Sequence, residues 1–205
     1  MPEPAFRDLC WVSTWSPAHS GAGLEHVRVA PGEADSVLVA IDEDGIPFRM
    51  AYRLHWDDHH VLRQADLTAH KGSRSRSLSL RVDGAGRWLG GDGQHLDFLD
   101  GCIDIDIWPT PFTNSFPIRR SQLQIGERRE FCMAWIAAPD LTIQAKAQAY
   151  TRLADRLYLF ESLDGSGFTA ELAVDEAGFV LDYPCLFTRV TPGSAGHIPG
   201  KPGAF

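Results

Sequence analysis

Two aspartates, Asp104 and Asp106, alternate with isoleucines in "CIDIDI", and Arg119 and Arg120 follow beyond a segment that holds Pro109, Pro111 and Pro117. These four residues are the ones in the chain best spaced for shared chemistry. If residues 102–107 form a strand, both carboxylates point the same way as Cys102, ~6.5–7 Å from each other. That separation is near the range of the carboxyl pairs that hydrolyse glycosides. The prolines take the chain out of the sheet, and a reversal there brings an arginine fork within reach of a carboxylate. Two readings stand. In one, Asp–Arg hydrogen bonds pin a strand end. In the other, Asp104, Asp106, Thr113, Asn114, Arg119 and Arg120 form a polar rim at the mouth of an apolar cavity, where guanidinium groups orient a phosphate, carboxylate or sugar headgroup.

Other motifs carry less. "HWDDHH" offers His55, Asp57, His59 and His60 as metal ligands, but it separates two strand-like runs and has no partner cluster with zinc spacing, so it reads as a polar turn. "WLGGDGQH" is glycine-rich yet matches neither nucleotide-binding pattern, and no GxSxG is present. No metal and no cofactor are expected. Tyr150, Arg152, Tyr158 and Tyr183 are weaker pocket candidates; Tyr150 and Arg152 fall on what reads as an exposed, polar strand face.

The elements that must position these residues are strands. In "IPFRMAYRLHW", Phe48, Met50, Tyr52, Leu54 and Trp56 share one face, the period of a half-buried strand. The same alternation places Leu78, Leu80 and Val82 together, then Ile103, Ile105 and Ile107, then Phe131, Met133 and Trp135, then Phe168, Ala170, Leu172 and Val174. "LTIQAKAQAYTRL" has helix-forming alanines and glutamines, but its strict alternation predicts a strand with Ala145, Ala147 and Ala149 inward. "DEDG", "DGAG", "DGSG" and "DEAG" punctuate the runs as tight turns. Roughly a dozen strands follow from this pattern, paired antiparallel in a meander. One short helix is expected near 114–123, with Asn114 as N-cap.

So many strands leave many edges, which a rolled or barrel-like sheet hides. The expected fold is mainly β: one domain over residues 1–190, a rolled antiparallel sheet around one short helix, and a Pro/Gly-rich tail over 191–205. The 205 residues carry a net charge of −8, which argues against nucleic acid and against electrostatic docking on anionic membranes. No apolar run reaches the ~20 residues of a membrane-spanning helix. The N-terminus has no secretory signal pattern, and the four cysteines are scattered, so they read as reduced thiols in a cytoplasmic protein.

"DIDIWPTPFTNSFPIRR", "GERREF", "YTRL" and "GFTAELAVDEAGFVLDYPCLFTRV" together resemble a bacterial glycolipid-binding family, formerly a domain of unknown function. The resemblance runs from about the first strand to Val190 and is most specific in "TPFTNSFPIRR". It implies a spiral β-roll, similar to the fold of bacterial lipoprotein carriers, and a lipid or glycolipid-like small molecule as partner. It transfers no catalytic residue. Three functions follow as expectations. The first is a binding protein that holds an amphipathic ligand in an apolar cavity of the roll. The second is an enzyme of glycolipid metabolism with Asp104 and Asp106 as acid and base. The third is a homodimeric interaction protein built on an exposed sheet face.

Overall fold

The computed structural model of the chain describes residues 6–14 and 22–190; the expected tail over 191–205 lies outside them. The described residues fold as fourteen strands in one open, curled sheet. They are β1 (Arg7–Thr14), β2 (Ala22–Ala30), β3 (Glu33–Ile41), β4 (Pro47–Trp56), β5 (Leu62–Lys71), β6 (Arg74–Val82), β7 (Trp88–Gly90), β8 (Cys102–Trp108), β9 (Arg128–Ala137), β10 (Thr142–Ala154), β11 (Leu157–Ser162), β12 (Thr169–Val174), β13 (Val180–Tyr183) and β14 (Phe187–Arg189). One helix, α1 (Ser115–Ser121), follows a 3-10 turn at Phe112–Asn114.

Laterally the strands run β7-β6-β5-β4-β3-β2-β1-β14-β13-β12-β11-β10-β9-β8. The chain starts in the middle of the sheet and meanders out to one edge. It crosses to the opposite edge at β8, then returns strand by strand until β14 pairs with β1. There is one departure from an all-antiparallel meander among the described strands: β8 and β9 are parallel. The 3-10 turn and α1 lie between them, and a connection that carries the chain back past its own strand makes parallel neighbours.

Alternation holds best in the first half. Phe48, Met50, Tyr52, Leu54 and Trp56 are all buried, as are Leu80 and Val82. The aspartate-led turns share one device. Asp42, Asp83 and Asp175 each accept, through Oδ1, the N–H groups two and four residues on. The glycine at the fourth position of each turn has positive φ, 76° at Gly45, 80° at Gly86 and 81° at Gly178. "DDHH" makes the same turn: Asp57 Oδ1 accepts from His59 and Val61, and its other oxygen from Arg63. His60 takes the glycine position there, at φ 59°.

The helix forms where expected, but Asn114 does not cap it. Asn114 stands at the N-cap position without a side-chain capping bond. The preceding 3-10 turn continues straight into the helix, and the amide of Asn114 donates instead to the Tyr150 hydroxyl at 2.8 Å. Phe112 wedges this segment between the two halves of the sheet: its ring stacks 6.4 Å from Tyr52 and 5.7 Å from Phe179.

Three expectations are corrected. On β10 the expected alternation fails: Ala149 is buried as expected, but Ala145 and Ala147 are exposed, and Gln148 and Tyr150 are buried beside Ala149. Alanine carries too little apolar surface to set a face, and the Tyr150 ring decides it. On β8, both faces are covered, so Asp104 is as buried as Ile105 and Ile107, and Ile103 is the exposed one. Cys102 and Cys132, expected as separate thiols, are joined as a disulfide across the β8–β9 pair; Cys10 and Cys185 are free.

Candidate functional site

On the core-facing side of the second half-sheet lies a cavity of about 250 Å³. Its walls are aromatic: Trp108, Trp135, Phe160, Phe168, Tyr183 and Phe187. Its polar groups come from β8, the 3-10 turn, β10 and the β11–β12 loop, as Asp106, Asn114, Lys146, Gln148 and Asp164. Asp106 and Trp135 are register partners on the parallel strands, which puts the carboxyl beside the indole. Lys146 lies 3.6 Å above the Trp135 ring centre and 3.7 Å from Asp164.

Within this cavity Asp106 is held on two sides. Its Oδ2 accepts from the Gln148 amide at 2.5 Å and its Oδ1 from Thr113 Oγ1 at 3.3 Å. Burial raises its pKa, with the bonds from Gln148 and Thr113 and the charge of Lys146 pulling the other way. Asp164 goes the opposite way, held well below the usual carboxylate range by hydrogen bonds from Ser166 and Ser162. The Tyr183 hydroxyl is pushed up by burial and by Asp106, so it remains a neutral donor. Gln148 is 4% exposed, and its Oε1 has no hydrogen-bond partner. A buried acceptor left open beside a satisfied amide is uncommon in folded proteins and calls for a partner.

The six residues singled out from the sequence separate into three places. Asp106 and Asn114 line the cavity. Thr113 is buried behind them, donating to Asp106 and accepting from the Ile107 N–H at 3.1 Å. Asp104 and Arg120 do meet, through Nε–Oδ1 at 3.1 Å and Nη2–Oδ2 at 2.6 Å, but the Asp104 side chain has no exposure. Burial raises the Asp104 pKa against the pull of Arg120. Arg119 leaves on another side of α1, 4.8 Å over the Phe179 ring. The two carboxylates therefore do not converge on one cleft, which an acid/base pair needs. Trp11, Trp88, Tyr52 and Leu54 are buried in the core of the roll and do not line the cavity that holds Asp106.

Glu25 is a further buried polar residue that the sequence reading overlooked. Its Oε1 accepts from Ser36 at 2.8 Å and from Tyr52 at 2.7 Å, and its Oε2 from Thr110 at 2.6 Å. Thr110 also lines the aromatic cavity, so this carboxyl ties the first half-sheet to the cavity wall. Burial raises the Glu25 pKa to about 7, against those three hydrogen bonds. A signal was there: Glu25 shares the strand face of Val27 and Val29, which are buried.

Comparison with known proteins gives two findings and one blank. Residues 12–189 match the family model described as "Putative glycolipid-binding". The crystal structure of a DUF1089 family protein from Pseudomonas aeruginosa superposes with a TM-score of 0.80 at 47% identity, over 86% of this chain and 95% of that one. No functionally curated protein matches.

Proposed function

The chain belongs to the family described as "Putative glycolipid-binding", and on that premise we propose that the aromatic cavity holds the sugar headgroup of a glycolipid. The observation that carries this reading is the buried, unpartnered acceptor Gln148 Oε1, beside Asp106 in the residues that line an aromatic-walled cavity. A sugar ring presents C–H faces to indole and phenyl rings and hydroxyl donors to carboxyl and amide oxygens. A volume of about 250 Å³ falls below the ~300–1,000 Å³ of pockets for drug-sized ligands. It suits one ring and the first carbons of an aglycone, with the remaining acyl chain outside. Asp106, Asn114 and Gln148 are the headgroup contacts in this reading; Thr113, Asp104 and Arg120 hold the scaffold behind them.

The direct test is titration of the labelled protein with octyl glucoside, followed by amide NMR. Shifts confined to β8, β10 and the β11–β12 loop support the reading, and their absence at millimolar ligand defeats it.

A second reading rests on the outer face of the sheet. Val12, Leu24 and Val39 are register neighbours across β1, β2 and β3, and they are 37%, 53% and 54% exposed. That row suits pairing with a second copy of the chain. Sedimentation of the protein and of Val39→Glu tests it: a dimer that the substitution dissolves supports pairing, and a monomer at high concentration excludes it.

A further inference from the structure

A second cavity, of about 820 Å³, shares no lining residue with the aromatic one. Arg119, Arg7 and His60 line it together with Trp56 and Phe179. The two arginines stand over the Phe179 ring, 4.8 and 5.6 Å from its centre. We propose that this cleft binds an organic phosphate, with its anionic group on Arg119 and Arg7 and its apolar body against Trp56 and Phe179.

The charge balance is the first argument. Arg7 and Arg189 both donate to the same oxygen of Asp175, at 2.7 Å each. The other Asp175 oxygen is occupied by the N–H groups of Ala177 and Phe179. Arg119 takes part in none of the ion pairs among the described residues. Three guanidinium groups thus stand around one carboxylate that pairs with only two of them, and the excess matches the roughly −1.5 to −2 charge of a phosphate monoester. Arg189 is 6% exposed on its side chain, and its Nε and Nη2 have no partner. The carboxylates that also line the cleft are engaged elsewhere or face water. Asp57 pairs with Arg63, Asp8 with His26 and Arg28, and Asp58 is exposed.

The arrangement is also built rather than incidental. Arg119 is desolvated enough that burial, with Arg7 nearby, lowers its pKa. A guanidinium held partly out of water without a carboxylate partner is costly unless an anion meets it. Beside it, His60 occupies the left-handed position that glycine fills in three sister turns, with Nδ1 buried and unpartnered. A left-handed non-glycine residue at a cleft wall marks a place where the backbone accepts a cost to position a side chain.

The test uses phenyl phosphate, benzoate, inorganic phosphate and phenol as probes in calorimetric titrations at low salt. Phenyl phosphate is expected to bind tightest, because it alone supplies both the dianion and the ring. Arg119→Gln is expected to weaken it about tenfold or more, as loss of a charged hydrogen-bond partner does. Arg7→Gln, read alongside in case the first variant melts early, should weaken it less, because Asp175 keeps Arg189. Gln148→Ala, in the other cavity, should leave this binding unchanged. Equal affinity of phenyl phosphate for the parent and for a folded Arg119→Gln, or no binding of any probe, overturns the proposal. Benzoate binding as tightly as phenyl phosphate overturns the assignment to phosphate.

Discussion

Asp104 and Arg120 form a two-point ion pair across sixteen residues of chain, with the carboxylate wholly out of solvent and the arginine side chain partly buried. The pair fastens α1 to β8, and α1 carries Phe116 into contact with Trp56 on the far half-sheet. It is a structural joint that sits next to a binding cavity.

Breaking one partner should therefore cost more than removing both. Arg120→Ala leaves a buried carboxylate alone and is expected to lower stability by about 3–5 kcal/mol. The double change Asp104→Leu with Arg120→Met should recover most of that loss. Urea denaturation of the three proteins reads it directly. A double variant no more stable than Arg120→Ala would show that the pair does more than neutralise itself.

Glu25 should make the protein less stable as pH rises through neutrality. Its pKa is about 7 in the fold against an ordinary value of 4.5, so the folded state binds the proton more tightly. Its full contribution is present below 4.5 and is lost as pH climbs to about 7, a change of about 3 kcal/mol. Glu25→Gln keeps the shape without the charge. It should flatten that part of the stability profile, measured by urea melts from pH 4.5 to 8. A profile unchanged by the substitution would rule Glu25 out as its source.

Alkyl glucosides should reveal how little of the lipid the aromatic cavity encloses. Each buried CH₂ contributes about 0.8 kcal/mol, so affinity should rise steeply over the first few carbons and then level off. Asp106→Asn and Gln148→Ala should each weaken the whole series about tenfold or more, because both remove headgroup contacts. Continued tightening out to dodecyl glucoside would mean that the chain is enclosed after all.

His60→Gly should raise stability by up to about 1 kcal/mol, since glycine adopts the left-handed backbone without a Cβ clash. Thermal melting measures this. A lower melting temperature would mean that the imidazole makes a contact worth more than the strain.

The sequence made the β-rich fold legible because aromatic and branched residues alternate strongly in β4 and β6, and because each aspartate-led turn declares itself. The single helix showed through its position between prolines and Leu123. The site was only partly legible. Proximity in sequence tied Asp104 to Arg120 correctly, and the same logic grouped Arg119 with Arg120, although consecutive helical residues point about 100° apart. The aromatic cavity draws on β8 through β14, so no local window holds its pattern. Gln148 and Tyr150 looked exposed because the alanines that alternate with them, Ala145, Ala147 and Ala149, read as the apolar face. Glu25 escaped notice because a carboxylate on an inward face runs against the usual rule that such residues stay wet.

The pairing of β1 with β14 has a consequence for how the protein is made. Trp11 meets Arg189 there, so the seam joins residues from nearly opposite ends of the described chain. Every other antiparallel pair joins strands adjacent in sequence. A ribosome therefore releases β1 to β7 as a ready meander whose first strand is a bare edge, open to any other nascent chain. That edge stays unguarded until the last strand emerges, because closing it requires the longest loop in the molecule. Chains cut short before Phe187 should be the aggregating ones, even though they keep most of the core.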